Sequence, residues 1–470
     1  MPRVVTRQSS QDQVEAAFAR MDEVDDLVRS VCTRNDAAVE QARALDAEPA
    51  GSRGPLHGRP VLVKDNVDTA DLPTTAGSTA LAGLPNPTRD ATLVRRLREA
   101  GMVVLGKANL SEWANIRDEA STSGWSAVGG LTRNPYALNR SAGGSSSGSG
   151  AAVAAGITPF AVGTETDGSI TCPAAFNGCV GIKPTVGTVP TDGVVPISSS
   201  QDSPGPMATT VRDAAALLGV LAGDGVDYAS HAVEGRLAGK RIGVPRALFW
   251  GYSRHADDRA ERAVELLAAQ GATIVDHTDL AFTEADSDDE LKVILAELKA
   301  TLADYLATRP GDGPRTLADV VAFNREHADV ELAHFGQSLF ETALAGPDVG
   351  SRDYAEARAR CLRHAREEGI DGVLAAHGLD ALVTPSYAPA CPIDLVNAEA
   401  HPGSCTGPSA VAGYPLVTVP SGLAAGLPVA VSFWGTAGSE RTLVEIAHGY
   451  ESARDRDAGP LPPPRLTPFV

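Results

Sequence analysis

The chain has 470 residues, a length that corresponds to one large domain or to three domains of about 150 residues each. Hydrophobic residues make up 43% of the chain and charged residues 21%, which excludes intrinsically disordered and fibrous proteins. The net charge of −19 argues against non-specific binding to nucleic acid, because neutralising phosphates requires basic patches.

The N-terminal sequence MPRVVTRQSSQDQVEAAF has no apolar signal-peptide core, and no segment approaches the ~20 apolar residues of a membrane span. We therefore expect a soluble, cytoplasmic monomer or homodimer with neither nucleic acid nor a membrane as partner. The cysteines are too few and too scattered for a disulfide framework, and none forms a CxxC pair. They are Cys32, Cys172, Cys179, Cys361, Cys391 and Cys405. The sequence predicts no metal site and no cofactor.

Apolar residues recur every three or four positions from residue 11 to residue 46, which predicts a helical segment there. Beyond this segment, short apolar strands alternate with helices such as Ala91–Ala100 and Gly150–Ala155. The predicted strands are Pro60–Val63, Met102–Leu105, Phe160–Gly163, Arg241–Val244, Ala272–Val275, Ala381–Thr384, Leu416–Val419 and Val429–Phe433. This alternation favours an α/β protein in which helices cover both faces of a sheet.

Residues 222–375 are rich in Ala, Asp, Glu and Arg and are largely helical by their periodicity. We interpret them as a helical insertion or cap on the α/β core. The Pro-rich tail Gly459–Val470 is predicted to be irregular. The predicted division of the chain is a helical segment packed on the core (1–56), the core (57–221), the insertion (222–375) and a further part of the same core (376–470).

The segment Ala142–Gly150 reads AGGSSSGSG and has the composition of a flexible linker. It runs directly into a long stretch of small apolar residues, however, and a Gly/Ser loop between buried elements lets the backbone approach a ligand closely. A phosphate-binding loop is excluded because no lysine follows it. The spacing Gly144-Ser145-Ser146-Ser147-Gly148 matches a nucleophile elbow, but no apolar strand precedes it and residues 58–230 contain no histidine to act as base.

A serine nucleophile needs a partner that takes its proton, and a neutral lysine amine can replace histidine in that role. Three lysines in the first half of the chain end strand-like runs: Lys64, Lys107 and Lys183. Burial would lower the pKa of any of them and make it a base. The residues alone do not choose among the three, and a solvated or ion-paired lysine is the simpler interpretation for each.

Seven segments, in their order along the chain, resemble the amidase signature family. They are PVLVKDNVDTADLPTTAGSTALAG (60–83), GKANLSEWA (106–114), RNPYALNRSAGGSSSGSGAAVAAG (133–156), GTETDGSITCPAAFNGCVGIKPT (163–185), PISSSQDSPGPMATTVRDAA (196–215), AVAGYPLVTVPSG (410–422) and LPVAVSFWG (427–435). The resemblance implies a large, mixed, twisted β-sheet between helices, with 57–221 as the signature core.

The family uses a Ser–cis-Ser–Lys triad, and the resemblance assigns its members to this sequence. Ser169 is implied as the nucleophile, and Ser145, after a cis bond from Gly144, as the serine that relays its proton to Lys64. In this scheme Ser169 attacks the amide carbonyl, the proton returns to the leaving amine, and water hydrolyses the acyl-enzyme. Ser146 is interpreted as a supporting hydroxyl, either in the triad or in the turn.

The resemblance also implies an oxyanion hole formed by the backbone N–H groups of Thr166, Asp167, Gly168 and Ser169. Many relatives have a Gly-Gly pair before the nucleophile, whereas this chain has Asp167-Gly168. A carboxylate at this position could alter substrate preference, or it could face away and cap a turn.

The wording of several motifs is similar to the peptide amidase branch, whose members remove the C-terminal amide of peptides. Loop 386–407 would then border the substrate channel, with Trp125, Phe433 and Trp434 as candidate aromatic walls, although such side chains are more often core. Asp202 is a weaker candidate for substrate binding; it could also orient the loop beneath the triad, although capping a turn is the more common role for such a residue. Cys172 is interpreted as a small buried apolar residue.

Other functions remain open from the sequence. A general aliphatic or aryl amidase and the glutaminase subunit of a tRNA-dependent amidotransferase would share the same motifs. A biosynthetic acyl-transfer enzyme and a non-catalytic amide-binding protein are further alternatives. In each case the expected ligand is a small-molecule or peptide amide.

Overall fold

The computed structural model describes residues 8–49, 51, 53–283, 285–400 and 403–469. Within them the apolar runs form strands, most of which are buried. The strands are β1 Val31–Arg34, β2 Pro60–Lys64, β3 Val103–Ala108, β4 Trp125–Ser126, β5 Gly130–Leu131, β6 Phe160–Glu165, β7 Val180–Lys183, β8 Ser203–Ala208, β9 Arg241–Val244, β10 Thr273–Asp276, β11 Ala381–Pro385, β12 Leu416–Ala424 and β13 Leu427–Trp434.

The helices fill the intervals between these strands. They are α1 Ser10–Val28, α2 Ala38–Asp46, α3 Thr79–Ala82, α4 Thr92–Glu99, α5 Ser147–Ala154, α6 Thr171–Asn177, α7 Val211–Ala222, α8 Arg254–Ala269, α9 Ala285–Thr308, α10 Leu317–Glu326, α11 Ala328–Glu331, α12 Ser338–Ala345, α13 Arg352–Leu362, α14 Asp371–His377, α15 Gly407–Ala412 and α16 Glu440–Ala458. None of the helices in the part of the chain that the structure describes combines the length and apolar content that crossing a membrane requires.

One mixed sheet of eleven strands organises the described residues, in the order β1-β3-β2-β6-β8-β7-β12-β13-β11-β9-β10. Strands β3, β2 and β6 are parallel neighbours, and β8 joins β6 in antiparallel register. Strands β4 and β5 form a separate two-stranded ribbon. Because β2 and β6 run in the same direction, their carboxyl ends meet at one edge of the sheet, where the site described below lies.

Both faces of the sheet are covered, because successive side chains of a strand point to opposite faces. Val61 and Val63 of β2 pack into one apolar cluster with helices α4, α7, α8 and α16. Leu62, between them, packs into a second cluster with α1, α2 and α5. This confirms the predicted α/β class, with a large mixed sheet between helices.

The N-terminal segment differs from the sequence prediction. The prediction of a helical segment over 11–46 is wrong between helices α1 and α2. There β1 pairs with β3 at the edge of the sheet. Helix α1 ends because Arg29 adopts a left-handed conformation, and the Asp25 carboxylate accepts hydrogen bonds from the Ser30 and Val31 N–H groups. The sheet therefore interrupts a segment whose apolar spacing alone is helical. The described part of the tail after Gly459 is irregular, as predicted.

Residues 222–375 are not wholly a helical addition to the core. Strands β9 and β10 lie in this range and complete one edge of the main sheet, next to β11. The helices that lie beyond them begin with α9 at Ala285 and form two further apolar clusters, one of them around α9, α10 and α12. The division of the chain into domains stays a prediction.

Candidate active site

Lys64, the last residue of β2, is at the centre of the site. Its Nζ atom lies 2.8 Å from Ser145 Oγ, 2.9 Å from Thr164 Oγ1 and 3.1 Å from the Thr164 carbonyl oxygen. Asn66 Nδ2 donates to the same Thr164 hydroxyl at 3.0 Å. The parallel pairing of β2 with β6 produces this contact, because it places the ends of the two strands side by side.

The Lys64 side chain is completely buried. Burial disfavours the charged ammonium and lowers the pKa of Lys64 to about 7, although the negative charges of Asp202 and Glu165 partly oppose this effect. A lysine in bulk water is almost fully protonated at neutral pH, whereas this amine has a substantial neutral fraction there. Lys64 can therefore accept a proton from the Ser145 hydroxyl that it contacts.

The glycine-rich segment positions Ser145 at the start of α5. The peptide bond between Gly144 and Ser145 is cis, as the resemblance implies. Gly143 has a φ of +69°, in the left-handed region that favours glycine. A Cβ at Gly144 would overlap the Ser111 hydroxyl, so glycine is required here for close packing. This segment is a tightly packed turn and not a linker.

Ser169 lies in the loop between β6 and α6. Its carbonyl oxygen accepts a hydrogen bond from the Ser146 N–H at 3.1 Å, which holds this loop against the glycine-rich segment. The Ser169 hydroxyl has no hydrogen-bond partner among the described residues. The Ser146 hydroxyl donates to the Thr164 carbonyl oxygen at 3.1 Å and accepts from the Thr164 N–H, so Ser146 joins the segment to β6.

The same loop carries unpaired hydrogen-bond donors. Over the described parts of the chain, the backbone N–H groups of the stretch from Thr166 to Ser169 donate to no protein atom, whereas those of Ile170 and Thr171 donate to the Glu165 carboxylate at 2.7 and 2.8 Å. Gly168 has a φ of +80°. Such a loop of free N–H groups next to a serine can stabilise an oxyanion.

A cavity of about 390 Å³ opens beside this loop. Its described lining residues are Asn115, Ser123, Gly144, Asp167, Cys172, Tyr387, Gly403, Ser404 and Thr406. Asp167 is exposed in this cavity, where the surrounding protein removes part of the water from its carboxyl. Burial raises the pKa of the Asp167 carboxyl to about 6, while a hydrogen bond from Thr406 partly lowers it. Neither Arg nor Lys is among the described residues of this lining.

The two other candidate lysines have structural partners. Lys107 Nζ donates to the Val67 and Pro73 carbonyl oxygens at 2.6 and 3.0 Å and lies 3.5 Å from the Asp65 carboxylate. Lys183 Nζ donates to the Tyr414 carbonyl oxygen at 2.6 Å. Both amines are buried, but neither contacts Ser145. Of the three lysines, the structure brings only Lys64 to the glycine-rich segment.

Two of the proposed aromatic walls lie elsewhere. Phe433 and Trp434 are wholly buried in apolar clusters and pack against Tyr450 and Phe249, so neither borders the cavity. Their strand, β13, is central in the sheet, which leaves no solvent next to them. Trp125 is also buried and contacts the Phe335 ring at a centroid distance of 5.1 Å.

Asp202 does not border the cavity either. It lies in front of β8, faces a different cavity of about 500 Å³, and accepts a hydrogen bond from the Thr166 hydroxyl at 2.6 Å. Cys172 is buried, as predicted, but it also lines the cavity beside Ser169.

The sequence analysis missed the polar residues that hold the catalytic candidates. Thr164 and Asn66 surround the Lys64 amine, Glu165 binds the loop after Ser169, and Thr406 reaches Asp167. Glu165 had a usable signal, since it is a charged residue at the end of the buried strand FAVGTE. The described residues contain no group of three or more His, Cys, Asp or Glu side chains that could hold a metal ion.

A buried amine in contact with a hydroxyl, next to a serine in a loop of free N–H groups, is the arrangement of a hydrolytic enzyme. A family model described as Amidase matches residues 12–444 of this chain. The chain therefore belongs to the amidase family, and it is an amide-hydrolysing enzyme.

Relatives and solved structures extend this likeness over nearly the whole chain. A crystal structure of a peptide amidase in complex with the competitive inhibitor chymostatin is 45% identical, with a TM-score of 0.92 over 97% of this chain and 96% of that one. A probable amidase of Arabidopsis thaliana is 36% identical over 95% of this chain and 87% of its own length. A glutamyl-tRNA(Gln) amidotransferase subunit from Symbiobacterium thermophilum is 37% identical over 94% of this chain and 93% of its own length.

Gly168→Ala tests the geometry of the loop with free N–H groups. We expect kcat to fall at least about tenfold, because a Cβ at this position would overlap the Tyr387 hydroxyl and would require a strained φ. Gly187→Ala is the control, since Gly187 has a φ of +88° but open space around its Cβ. Adding Tyr387→Phe to Gly168→Ala should restore part of kcat. Wild-type kcat in Gly168→Ala would contradict this view of the loop.

Proposed function

We propose that this protein hydrolyses carboxamides through an acyl-enzyme on Ser169, with Ser145 relaying a proton to Lys64, and that its substrates are C-terminal amides of peptides or related small amides. The observation that carries the mechanism is the 2.8 Å contact between the buried Lys64 amine and the Ser145 hydroxyl. The unpartnered Ser169 hydroxyl and the free N–H groups beside it supply the other two requirements, a nucleophile and an oxyanion hole.

In the proposed first step, Ser169 Oγ forms a bond to the carbonyl carbon of the amide. Its proton passes to Ser145 Oγ while the Ser145 proton passes to neutral Lys64. The carbonyl oxygen becomes an oxyanion that accepts hydrogen bonds from the loop N–H groups. The proton then returns along the same path to the amide nitrogen, and the carbon–nitrogen bond breaks with release of ammonia. Water hydrolyses the acyl-enzyme by the same sequence of proton transfers.

The charge of the cavity supports a substrate without a carboxylate near the scissile amide. Asp167 lines the cavity, and no described lining residue supplies a cation to bind a carboxylate. A C-terminal peptide amide is neutral at its reacting end, because the preceding residue is joined through a peptide bond. The 45% identity to a solved peptide amidase supports the same substrate class.

The second candidate function is glutamine hydrolysis as part of an amidotransferase, which the 37% identity to a glutamyl-tRNA(Gln) amidotransferase subunit favours. Free glutamine is a zwitterion, and the described lining of the cavity offers Asp167 to its α-ammonium but no cation to its α-carboxylate. A general aliphatic or aryl amidase, which the likeness to a probable amidase of Arabidopsis thaliana supports, lacks that conflict.

A substrate panel separates these functions. We expect ammonia release from amidated peptides with a kcat/KM about 10²-fold or more above that for glutamine, since the described lining has no cation to compensate the desolvation of the glutamine carboxylate. Simple aliphatic and aryl amides, compared in the same assay, should be poorer than peptide amides because they fill less of the cavity. Glutamine as the best substrate would contradict the proposed substrate class but not the mechanism.

Ser169→Ala and Lys64→Met test the assigned nucleophile and base. We expect each to lower kcat by at least about 10³-fold with the thermal transition retained, because each removes a group that the chemical step requires. A fluorophosphonate probe should label the wild-type protein at Ser169 and leave Ser169→Ala unlabelled. Cys172→Ala is the control, since it changes the cavity wall without touching the proton path. Wild-type turnover in Ser169→Ala would show that another residue is the nucleophile.

The pH dependence follows from the state of the Lys64 amine. The amine must be neutral to accept a proton, so kcat/KM should rise with pH through about 7 and fall below it as Lys64 becomes protonated. Asp167→Asn is the control, because its carboxyl also titrates near 6 and the amide variant should keep the limb near 7. A profile that is flat between about pH 5 and pH 9 would contradict a lysine base.

A further inference from the structure

Three adjacent strands bring Lys64, Thr166 and Asp202 to the same edge of the sheet. Val63 pairs with Val162 in parallel register, and Glu165 pairs with Ser203 in antiparallel register. Continuing these registers places Lys64 on one side of the β6 end and Asp202 on the other. Neighbouring strands are about 4.8 Å apart, so Lys64 and Asp202 are separated by about two strand spacings at their backbones. Their side chains reduce this distance by reaching toward Thr164 and Thr166 respectively.

Asp202 makes three hydrogen bonds that fix its carboxylate. One oxygen accepts from the Thr166 hydroxyl at 2.6 Å, and the other accepts from the N–H groups of Ile197 and Ser198 at 2.8 and 3.0 Å. Thr166 begins the stretch of free N–H groups before Ser169. The carboxylate therefore joins that loop to the segment before β8.

Helix α9 binds the segment before β8 that contains Asp202. Glu297 accepts hydrogen bonds from the Ser198 hydroxyl at 2.5 Å and from the Ser200 N–H at 3.0 Å. Gln201 donates to Glu290 at 2.7 Å and to the Thr166 carbonyl oxygen at 3.4 Å. Glu290 and Glu297 are seven residues apart, so they lie on one face of the helix.

We propose that Asp202 is a positioning residue with two separable effects on the reaction: it holds Thr166, and with it the oxyanion loop, and its negative charge stabilises the protonated form of Lys64. This inference rests on the proposed function, in which Lys64 becomes a buried cation each time it accepts a proton. Asp202 was predicted from the sequence as a substrate contact, but its hydrogen bonds face the loop and not the cavity beside Ser169.

The second effect has a clear physical basis. Burial alone would lower the pKa of Lys64 further and make the amine a weaker base, and the charges that oppose it are Asp202, before β8, and Glu165, at the end of β6. Asp65, directly after β2, and Lys107 of β3 form a separate buried pair. The pKa of Asp202 is itself raised to about 6, mainly by burial and in smaller part by the negative charge of Glu297. Asp202 is thus ionised in the pH range where Lys64 acts.

Two pairs of variants, one at Asp202 and one at Thr166, separate the two effects. Asp202→Asn keeps the size of the side chain and one acceptor oxygen for the Ile197 and Ser198 N–H groups, and its NH2 group can donate to the Thr166 hydroxyl. It removes the charge, so the acid limb of kcat/KM should move about 0.5–1 unit to lower pH. Asp202→Glu keeps the charge and should leave the limb near its wild-type position. Thr166→Val keeps the Asp202 charge but loses the hydroxyl, so kcat should fall about 10- to 100-fold without movement of the limb. Thr166→Ser should restore kcat.

The outcomes distinguish this inference from the proposed function. A wild-type acid limb in Asp202→Asn, with Lys64→Met inactive in the same assay, would overturn the electrostatic effect and leave the Lys64 base intact. Wild-type kcat in Thr166→Val would overturn the positioning effect. If Lys64→Met keeps the wild-type profile, the proposed base is wrong and the role of Asp202 is overturned with it. If Asp202→Asn does not fold, the Thr166 pair still tests the positioning effect.

Discussion

The proposed chemistry of this protein depends on one constraint, the complete burial of the Lys64 amine against the Ser145 hydroxyl. In water the amine would hold its proton and could not act as a base at neutral pH. The interior of the sheet edge removes water from Lys64 and makes its neutral form accessible. The fold serves this constraint, because parallel strands deliver Lys64 and Thr164 to the same edge and the glycine-rich turn brings Ser145 to them.

Two acidic groups partly oppose the effect of burial on the pKa of Lys64. Glu165 and Asp202 each do two things, since their charges act on Lys64 and their oxygens hold the loop that contains Ser169. Helix α9 belongs to the segment that appears from the sequence to be an addition to the core. Through Glu290 and Glu297 it contacts the residues that hold this loop. The helical layer therefore supports the site directly and does not merely cover it.

Much of the fold follows from local sequence, and its failures have physical causes. Buried strands such as β2 and β13 consist mostly of apolar residues, so the sequence predicts their positions. Strand β8 reads SPGPMA, and its two prolines and glycine oppose strand propensity, so only its neighbours in the sheet make it a strand. Strand β1 lies inside helical spacing and forms because β3 offers it an edge.

Some residues of the candidate site could likewise be predicted from the sequence, and others could not. The serines and Lys64 stand in recognisable motifs, and the family resemblance assigns their roles. The contacts of Thr164, Asn66 and Thr406 join residues far apart in the chain, which no local pattern reveals. Phe433 and Trp434 lie on a central strand and not at the cavity, and an apolar ring has the same sequence signal in a core as in a pocket.

The most direct measurement of the central claim is the titration of the Lys64 amine itself. The chain contains only six lysines, so nitrogen-15 labelling of their side chains gives an NMR spectrum in which Lys64→Met identifies one resonance. The account predicts that this resonance titrates with a midpoint near pH 7. An amine at position 64 that stays protonated up to about pH 10 would contradict the account.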